Sequence, residues 1–149
     1  MIAIIKYNAG NVASLANALK KLGFEYEITD DVRKILTANK VIFPGQGRAK
    51  PAMNNLRSKG LDEVIRQIKQ PFLGICLGMQ LLLPYSQEDN TKCFGIIEGG
   101  VKLFPNDEKI PQIGWNNLKQ TKQNSLFKDV EDESYFYFVN SYYVETNKE

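Results

Sequence analysis

The ten residues from Pro71 to Gln80 leave the fold little freedom. Phe72 to Ile75 is a short apolar strand introduced by Pro71, and a helical pattern, Leu77 to Leu83, follows with no intervening loop. The glycines of Gly74-Ile75-Cys76-Leu77-Gly78 suit such a turn, because side chains there would collide with neighbouring backbone.

The same strand–helix alternation runs upstream. Met1 to Ile5 reads as an apolar strand, and Val12, Leu15, Ala16, Leu19 and Leu22 fall at helical spacing before Gly23 ends the helix. Phe24 to Ile28 is a second strand, Val32 to Ala38 a short helix or loop, and Val41 to Phe43 a third strand closed by Pro44. Ala52 to Ser58 and Leu61 to Ile68 are helical segments split at Gly60. Strands apolar on both faces that alternate with helices predict a largely parallel sheet covered on each side.

After Gln87 the pattern changes. Asp89 to Gln112 is rich in Gly, Pro and Asn, with strand candidates at Gly95 to Ile97 and Val101 to Phe104, so loops and hairpins are expected. Tyr135 to Val139 and Tyr142 to Val144 read as two strands or one bent strand. The 149 residues predict one domain, 1–149. The helix that a doubly wound sheet would add next does not follow before Glu149, so the fold is expected to be incomplete at its C-terminus.

A net charge of +2, with dispersed basic residues, predicts no attraction to nucleic acid or to an anionic membrane. The apolar stretch from Pro71 to Pro84 is too short and too interrupted to span a bilayer, and Lys6 and Asn8 break the apolar start before a signal peptide could form. A cytoplasmic location is expected. The chain has no histidine, which removes that side chain as a general base and removes the usual His-containing zinc sites, so neither metal nor cofactor is expected. Cys93, between Lys92 and Phe94, is read as structural.

The pentapeptide around Cys76 is the cysteine form of a nucleophile elbow. Its turn would lift the thiol above the sheet, and the helix start behind it would leave the Leu77 N–H free to bind a developing oxyanion. A buried core cysteine is the plainer alternative, which the elbow outweighs. The second turn, Pro44-Gly45-Gln46-Gly47, follows another strand, and its glycines let backbone N–H groups approach a ligand. Taken alone it is equally an ordinary Pro-Gly turn.

These segments, together with Tyr7-Asn8-Ala9-Gly10-Asn11, Gly114-Trp115-Asn116 and Tyr137-Phe138-Val139-Asn140-Ser141-Tyr142-Tyr143, resemble the class I, triad-type glutamine amidotransferases, whose fold is three-layered and flavodoxin-like. Within them the chain is similar to the glutaminase subunits of imidazole glycerol phosphate synthases of histidine biosynthesis. The resemblance implies that Cys76 attacks glutamine, that Gln46 and Leu77 present the oxyanion donors, and that Gly47, Gln80, Ser141 and Tyr142 bind substrate. It also implies that ammonia passes to a (β/α)₈-barrel cyclase subunit, with Asn11 and Trp115 near that interface, and that the isolated subunit is nearly silent until docking.

Members of this family carry a Phe-His-Pro-Glu segment, with the catalytic base, beyond a strand like Tyr142 to Val144. The 149 residues hold no such motif, so truncation and a poor glutaminase are expected. An ordinary cysteine without an activating base is only about 3% thiolate at pH 7. Asn140 and Gln112 stand where many relatives have histidine, and Lys6 where aspartate is common. Glu88, Glu98 and Glu145 are read as solvated surface charges. Two other readings compete: a noncatalytic docking or regulatory module, and a paralogue feeding ammonia to sugar-modifying enzymes. A flavodoxin-like nucleotide binder lacks a GxGxxG or Walker motif after the first strand. Loss of the C-terminal segment predicts exposed apolar sheet surface and marginal stability.

Overall fold

A computed structural model of the chain describes residues 1–105 and 107–146. Its first half alternates β1 (Ile2–Ile5), α1 (Val12–Lys21), β2 (Tyr26–Thr29), α2 (Val32–Thr37), β3 (Lys40–Phe43), α3 (Ala49–Ser58), α4 (Leu61–Gln67), β4 (Phe72–Gly74) and α5 (Leu77–Gln80). The four strands form a wholly parallel sheet in the order β2-β1-β3-β4. Local chemistry fixes the helix ends. Asn11 caps α1 by accepting the Ser14 N–H at 3.1 Å, Asp31 caps α2 by accepting that of Lys34 at 3.0 Å, and Gly23 follows α1 at φ +75°.

Strand register divides the core in two. Ile4, Ile42 and Leu73 are register partners on one face, where Ile4 and Ile42 pack with Leu19, Val12 and Leu15 of α1. The opposite face carries Ala3, Ile5, Val41 and Phe43, buried beneath Ile35 of α2, Met53 and Leu56 of α3, Leu61 and Ile65 of α4, and Leu77. Each such side chain contributes about 1.5–3 kcal/mol on burial, so this second face dominates the stability of the sheet. Both faces are covered by helices, although unequally.

The second half is built differently. It holds β5 (Tyr85–Ser86), a 3₁₀ turn at Glu88–Asn90, β6 (Thr91–Lys92), β7 (Gly100–Leu103), β8 (Gln112–Asn117), a second 3₁₀ turn at Ser125–Phe127, β9 (Tyr135–Asn140) and β10 (Tyr142–Glu145). One sheet has the order β10-β7-β5-β6 and is antiparallel except for the single β5–β7 pair. β8 and β9 form a separate antiparallel ribbon, from Gln112 opposite Asn140 to Asn117 opposite Tyr135.

Parallel pairing is therefore confined, apart from that one β5–β7 pair, to the first four strands. Gly95 to Ile97 forms no strand; its three N–H groups instead donate to the carbonyls of Leu83 and Leu82, which turns the chain back over the end of α5. α5 is shorter than its apolar pattern suggests, closing in turns at Leu81 to Leu83. Tyr135–Asn140 and Tyr142–Glu145 are two strands in different sheets, and the chain changes sheet at Ser141. Among the described residues, no helix is long and apolar enough to cross a membrane.

Candidate active site at the end of the parallel sheet

Cys76 sits between β4 and α5 with φ +52° and ψ −117°, a conformation that costs a non-glycine residue about 1–3 kcal/mol. The surrounding hydrogen bonds hold it there. The Ile75 N–H donates to Phe43 O at 3.0 Å, tying β4 to β3, and the N–H groups of Gly78 and Gln80 close on Ile75 O and Cys76 O. The thiol is exposed.

Glycine is demanded on both sides of it. A Cβ on Gly74 would lie 2.7 Å from Met79 Cα, and one on Gly78 would overlap the Phe43 carbonyl oxygen. A Cβ on Gly45 would overlap the Gly78 nitrogen, so the turn after β3 and the start of α5 touch backbone to backbone. This contact brings the Pro44–Gly47 turn beside Cys76. Among the described residues, neither the Gln46 nor the Leu77 N–H donates to a protein acceptor.

Beneath the turn lies Tyr7, 5% exposed, its ring 5.2 Å from that of Phe43 and its hydroxyl donating to Pro44 O at 2.7 Å. Burial pushes the Tyr7 hydroxyl well above its ordinary pKa, and the charge of Cys76 pushes it the same way, so the group stays a neutral donor. Gly10, at φ +97°, passes so close that a Cβ would lie 3.1 Å from Pro44 Cβ.

A cleft of about 250 Å³ opens over the thiol, lined by Gln46, Gly47, Cys76, Leu77, Gln80, Glu88, Pro111, Val139, Asn140, Ser141 and Tyr142. All seven residues assigned from sequence to catalysis, oxyanion binding and substrate binding thus share one hollow. The Tyr142 carbonyl collects two side-chain amides, Gln80 Nε2 at 3.2 Å and Asn140 Nδ2 at 3.1 Å. Those bonds orient both amides, and Asn140 Oδ1 is buried with no hydrogen-bond partner among the described residues. Ser141 is held through its carbonyl, which accepts the Phe104 N–H at 3.1 Å.

Glu88 is not a solvated surface charge. It lines the cleft, and its Oε2 accepts the Ala49 N–H at the start of α3, 2.8 Å away. Next to it, Asp89 pairs with the Arg48 guanidinium, joining the residue after Glu88 to the residue after Gly47. Sequence spacing gave no sign of this, because Glu88 reaches the cleft through a 3₁₀ turn that follows no apolar period. Tyr7 belongs to the Tyr7–Asn11 segment, but its hydrogen bond depends on a contact across 37 residues. Glu145, in contrast, is an exposed partner of Lys102.

The two residues assigned to an interface lie outside the cleft. Asn11 is exposed and caps α1. Trp115 lies on β8, edge-on to Tyr137 of β9 with ring centroids 5.5 Å apart. Register places Ile113, Trp115, Tyr135, Tyr137 and Val139 on one face of the ribbon, and each is 55–68% exposed. Cys93 is buried, with its Sγ donating to Thr91 O, and burial pushes its thiol pKa up to about 11.

The family model for glutamine amidotransferase class-I matches residues 3–149. The chain is 48% identical over 147 residues to "Imidazole glycerol phosphate synthase subunit HisH" of Dehalococcoides mccartyi (strain ATCC BAA-2266 / KCTC 15142 / 195), covering 96% of this chain and 72% of that protein. It is 47% identical to the subunit of the same name from Bacteroides fragilis (strain YCH46), over 96% of this chain and 74% of that one. The crystal structure of a glutamine amidotransferase from Thermotoga maritima shares the fold, with a TM-score of 0.66 at 18% identity. That match covers 97% of this chain and 62% of the other.

Proposed function

The chain belongs to the class-I glutamine amidotransferases, alongside the HisH subunits of imidazole glycerol phosphate synthase, and from that premise we propose that its cleft takes the amide nitrogen from glutamine for use by a cyclase partner. The observation that carries this reading is an exposed thiol on a strained turn, in a hollow also lined by Gln46 and Leu77, whose N–H groups donate to no acceptor among the described residues.

The Cys76 sulfur attacks the side-chain carbonyl carbon of glutamine, and the electron pair of the C=O bond moves onto oxygen. Gln46 and Leu77 N–H groups hold that charge; one such donor is worth about 3 kcal/mol in comparable sites. The C–N bond then breaks, the nitrogen takes up the proton that the Cys76 thiol gave up and leaves as ammonia, and a glutamyl thioester remains. Water cleaves the thioester to glutamate and restores the thiol. The Glu88 carboxylate pairs with the substrate's α-ammonium group, and Gln80 with the Ser141–Tyr142 backbone frames the rest of the molecule. No metal or cofactor enters these steps.

The apolar ribbon face is the surface on which the partner, a (β/α)₈-barrel cyclase in the cytoplasm, docks. An exposed Trp flanked by Tyr, Ile and Val is the composition of a binding hot spot. Asn11 contributes at the edge of the same assembly. A second reading is a docking subunit without turnover, for which the exposed ribbon face alone would suffice.

A diazoketone analogue of glutamine separates the two. We expect it to label Cys76, glutamine to protect against it, and Cys76→Ala to abolish it. Glu88→Gln should weaken that protection about tenfold or more while leaving iodoacetamide alkylation unchanged. Labelling that is indifferent to glutamine would leave only the docking role. Partner capture that survives Cys76→Ala is common to both.

A further inference from the structure

We propose that Tyr7 is the positioning residue of the oxyanion turn, its hydroxyl setting the peptide plane after Pro44 and through it the aim of the Gln46 N–H. The inference rests on the glutaminase reading of Cys76 and adds to it a residue outside the cleft. Three observations converge on the same peptide. The Tyr7 hydroxyl donates to Pro44 O at 2.7 Å from a buried position. Gly10 lies against Pro44 and Gly45 from the same loop, where a Cβ would come within 3.1 Å of Pro44 Cβ and 3.3 Å of the Gly45 nitrogen. On the other side Gly45 touches Gly78 with no side chain between them.

The turn is thus held at one end and free at the other. Pro44 is buried and has no N–H, so its carbonyl is its one backbone hydrogen-bonding group, and Tyr7 takes it. Gln46 and Gly47 are exposed, and Gly47 adopts φ +98°, a region glycine enters without strain. Rotation of the 44–45 peptide is passed through the Gly45 torsions to the 45–46 peptide, which carries the Gln46 N–H, while the sheet below stays in place. Tyr7 opposes that rotation, since leaving Pro44 O buried and unpaired is unfavourable. Tyr7 is not among the residues that line the cleft, and its hydroxyl bonds to the turn.

Two reactions of Cys76 tell this role from a merely structural one. The γ-p-nitrophenyl ester of glutamate is attacked at a carbonyl carbon; the C–O bond breaks and p-nitrophenolate leaves with its electron pair, needing no proton. That step develops an oxyanion. Alkylation by iodoacetamide displaces iodide at a saturated carbon and develops none. With the full chain, Tyr7→Phe should slow Cys76 acylation by about 10- to 100-fold while alkylation stays within about twofold of wild type.

Equal slowing of both reactions, or of neither, overturns the inference. Loss of the cooperative unfolding transition in Tyr7→Phe also overturns it, because the hydroxyl would then be a structural group. The Cys76→Ala chain keeps the two proposals distinct. If it releases p-nitrophenolate as fast as wild type, Cys76 is not the nucleophile, and the glutaminase reading fails whatever Tyr7→Phe does.

Discussion

The stretch up to Leu83 and the stretch after it bury their side chains in opposite ways. Apart from Cys93, Phe94 and Val101, every buried hydrophobic residue described lies at or before Leu83. Beyond it the sheets are thin, and a five-residue apolar face stands open on β8 and β9. The cleft lies along the seam. One wall, with Cys76, Leu77 and Gln46, is anchored in the close-packed half; the other, with Glu88, Asn140 and Tyr142, belongs to the open half. The wall that carries Cys76 and Leu77 is set in close-packed backbone, and the facing wall belongs to strands that bury little apolar surface.

The sharpest way to break this contrast is to add one methyl group to the close-packed wall. Gly78→Ala would drive a Cβ into the Phe43 carbonyl, where backbone on both sides cannot give way. We expect a loss of about 3 kcal/mol or more, read as a lowered thermal midpoint. A variant that unfolds like wild type would show that the two backbones are not in fixed contact.

Trp115→Ala removes a far larger side chain from the open half, yet its effect on folding should stay within about 0.5 kcal/mol, because the indole is 64% exposed. Its effect belongs to association: about 2 kcal/mol, or roughly a 30-fold rise in Kd for the cyclase partner by calorimetry. A large drop in thermal midpoint with no change in Kd would make the ribbon face a part of the fold.

The smallest effect comes from Cys93, which lies in the later stretch but is buried in the earlier core. Desolvation by burial raises its pKa from 9.0 to about 11, with Arg57 pulling it down and Glu88 pushing it up. Between those values the folded chain holds a proton that the unfolded chain has lost. Stability should therefore fall as pH rises from 9.0 to about 11, and part of that slope should vanish in Cys93→Ala. Tyr7 contributes with the same sign from its ordinary value of 10.0 upward.

The contrast also decides what could be read from the amino acids. The parallel half announces itself because its strands are apolar on both faces and its helices carry caps or glycine breaks, as at Asn11, Asp31, Gly23 and Gly60. Its elbow follows from the need for glycine at 74 and 78. The later half gives no such signal. Gln112–Asn117 alternates Ile and Trp with Gly and Asn on a ribbon whose apolar side faces outward, so the residues that would normally mark a core mark a surface. Gly95–Ile97 looks like a strand, but its N–H groups are used by the carbonyls of Leu82 and Leu83. The other cleft residues lie on segments with a legible pattern, whereas Glu88 lies on a short 3₁₀ turn that has none.

The bare meeting of Gly45 and Gly78 has one more consequence. Elsewhere in a protein, the gap between two segments can be tuned by exchanging one aliphatic group for another. Here the spacing is already at its minimum, and no exchange is available in either direction. The distance between the Pro44–Gly47 turn and the start of α5 is thereby fixed by the chain itself, and what stays adjustable at this junction is the orientation of the peptide planes.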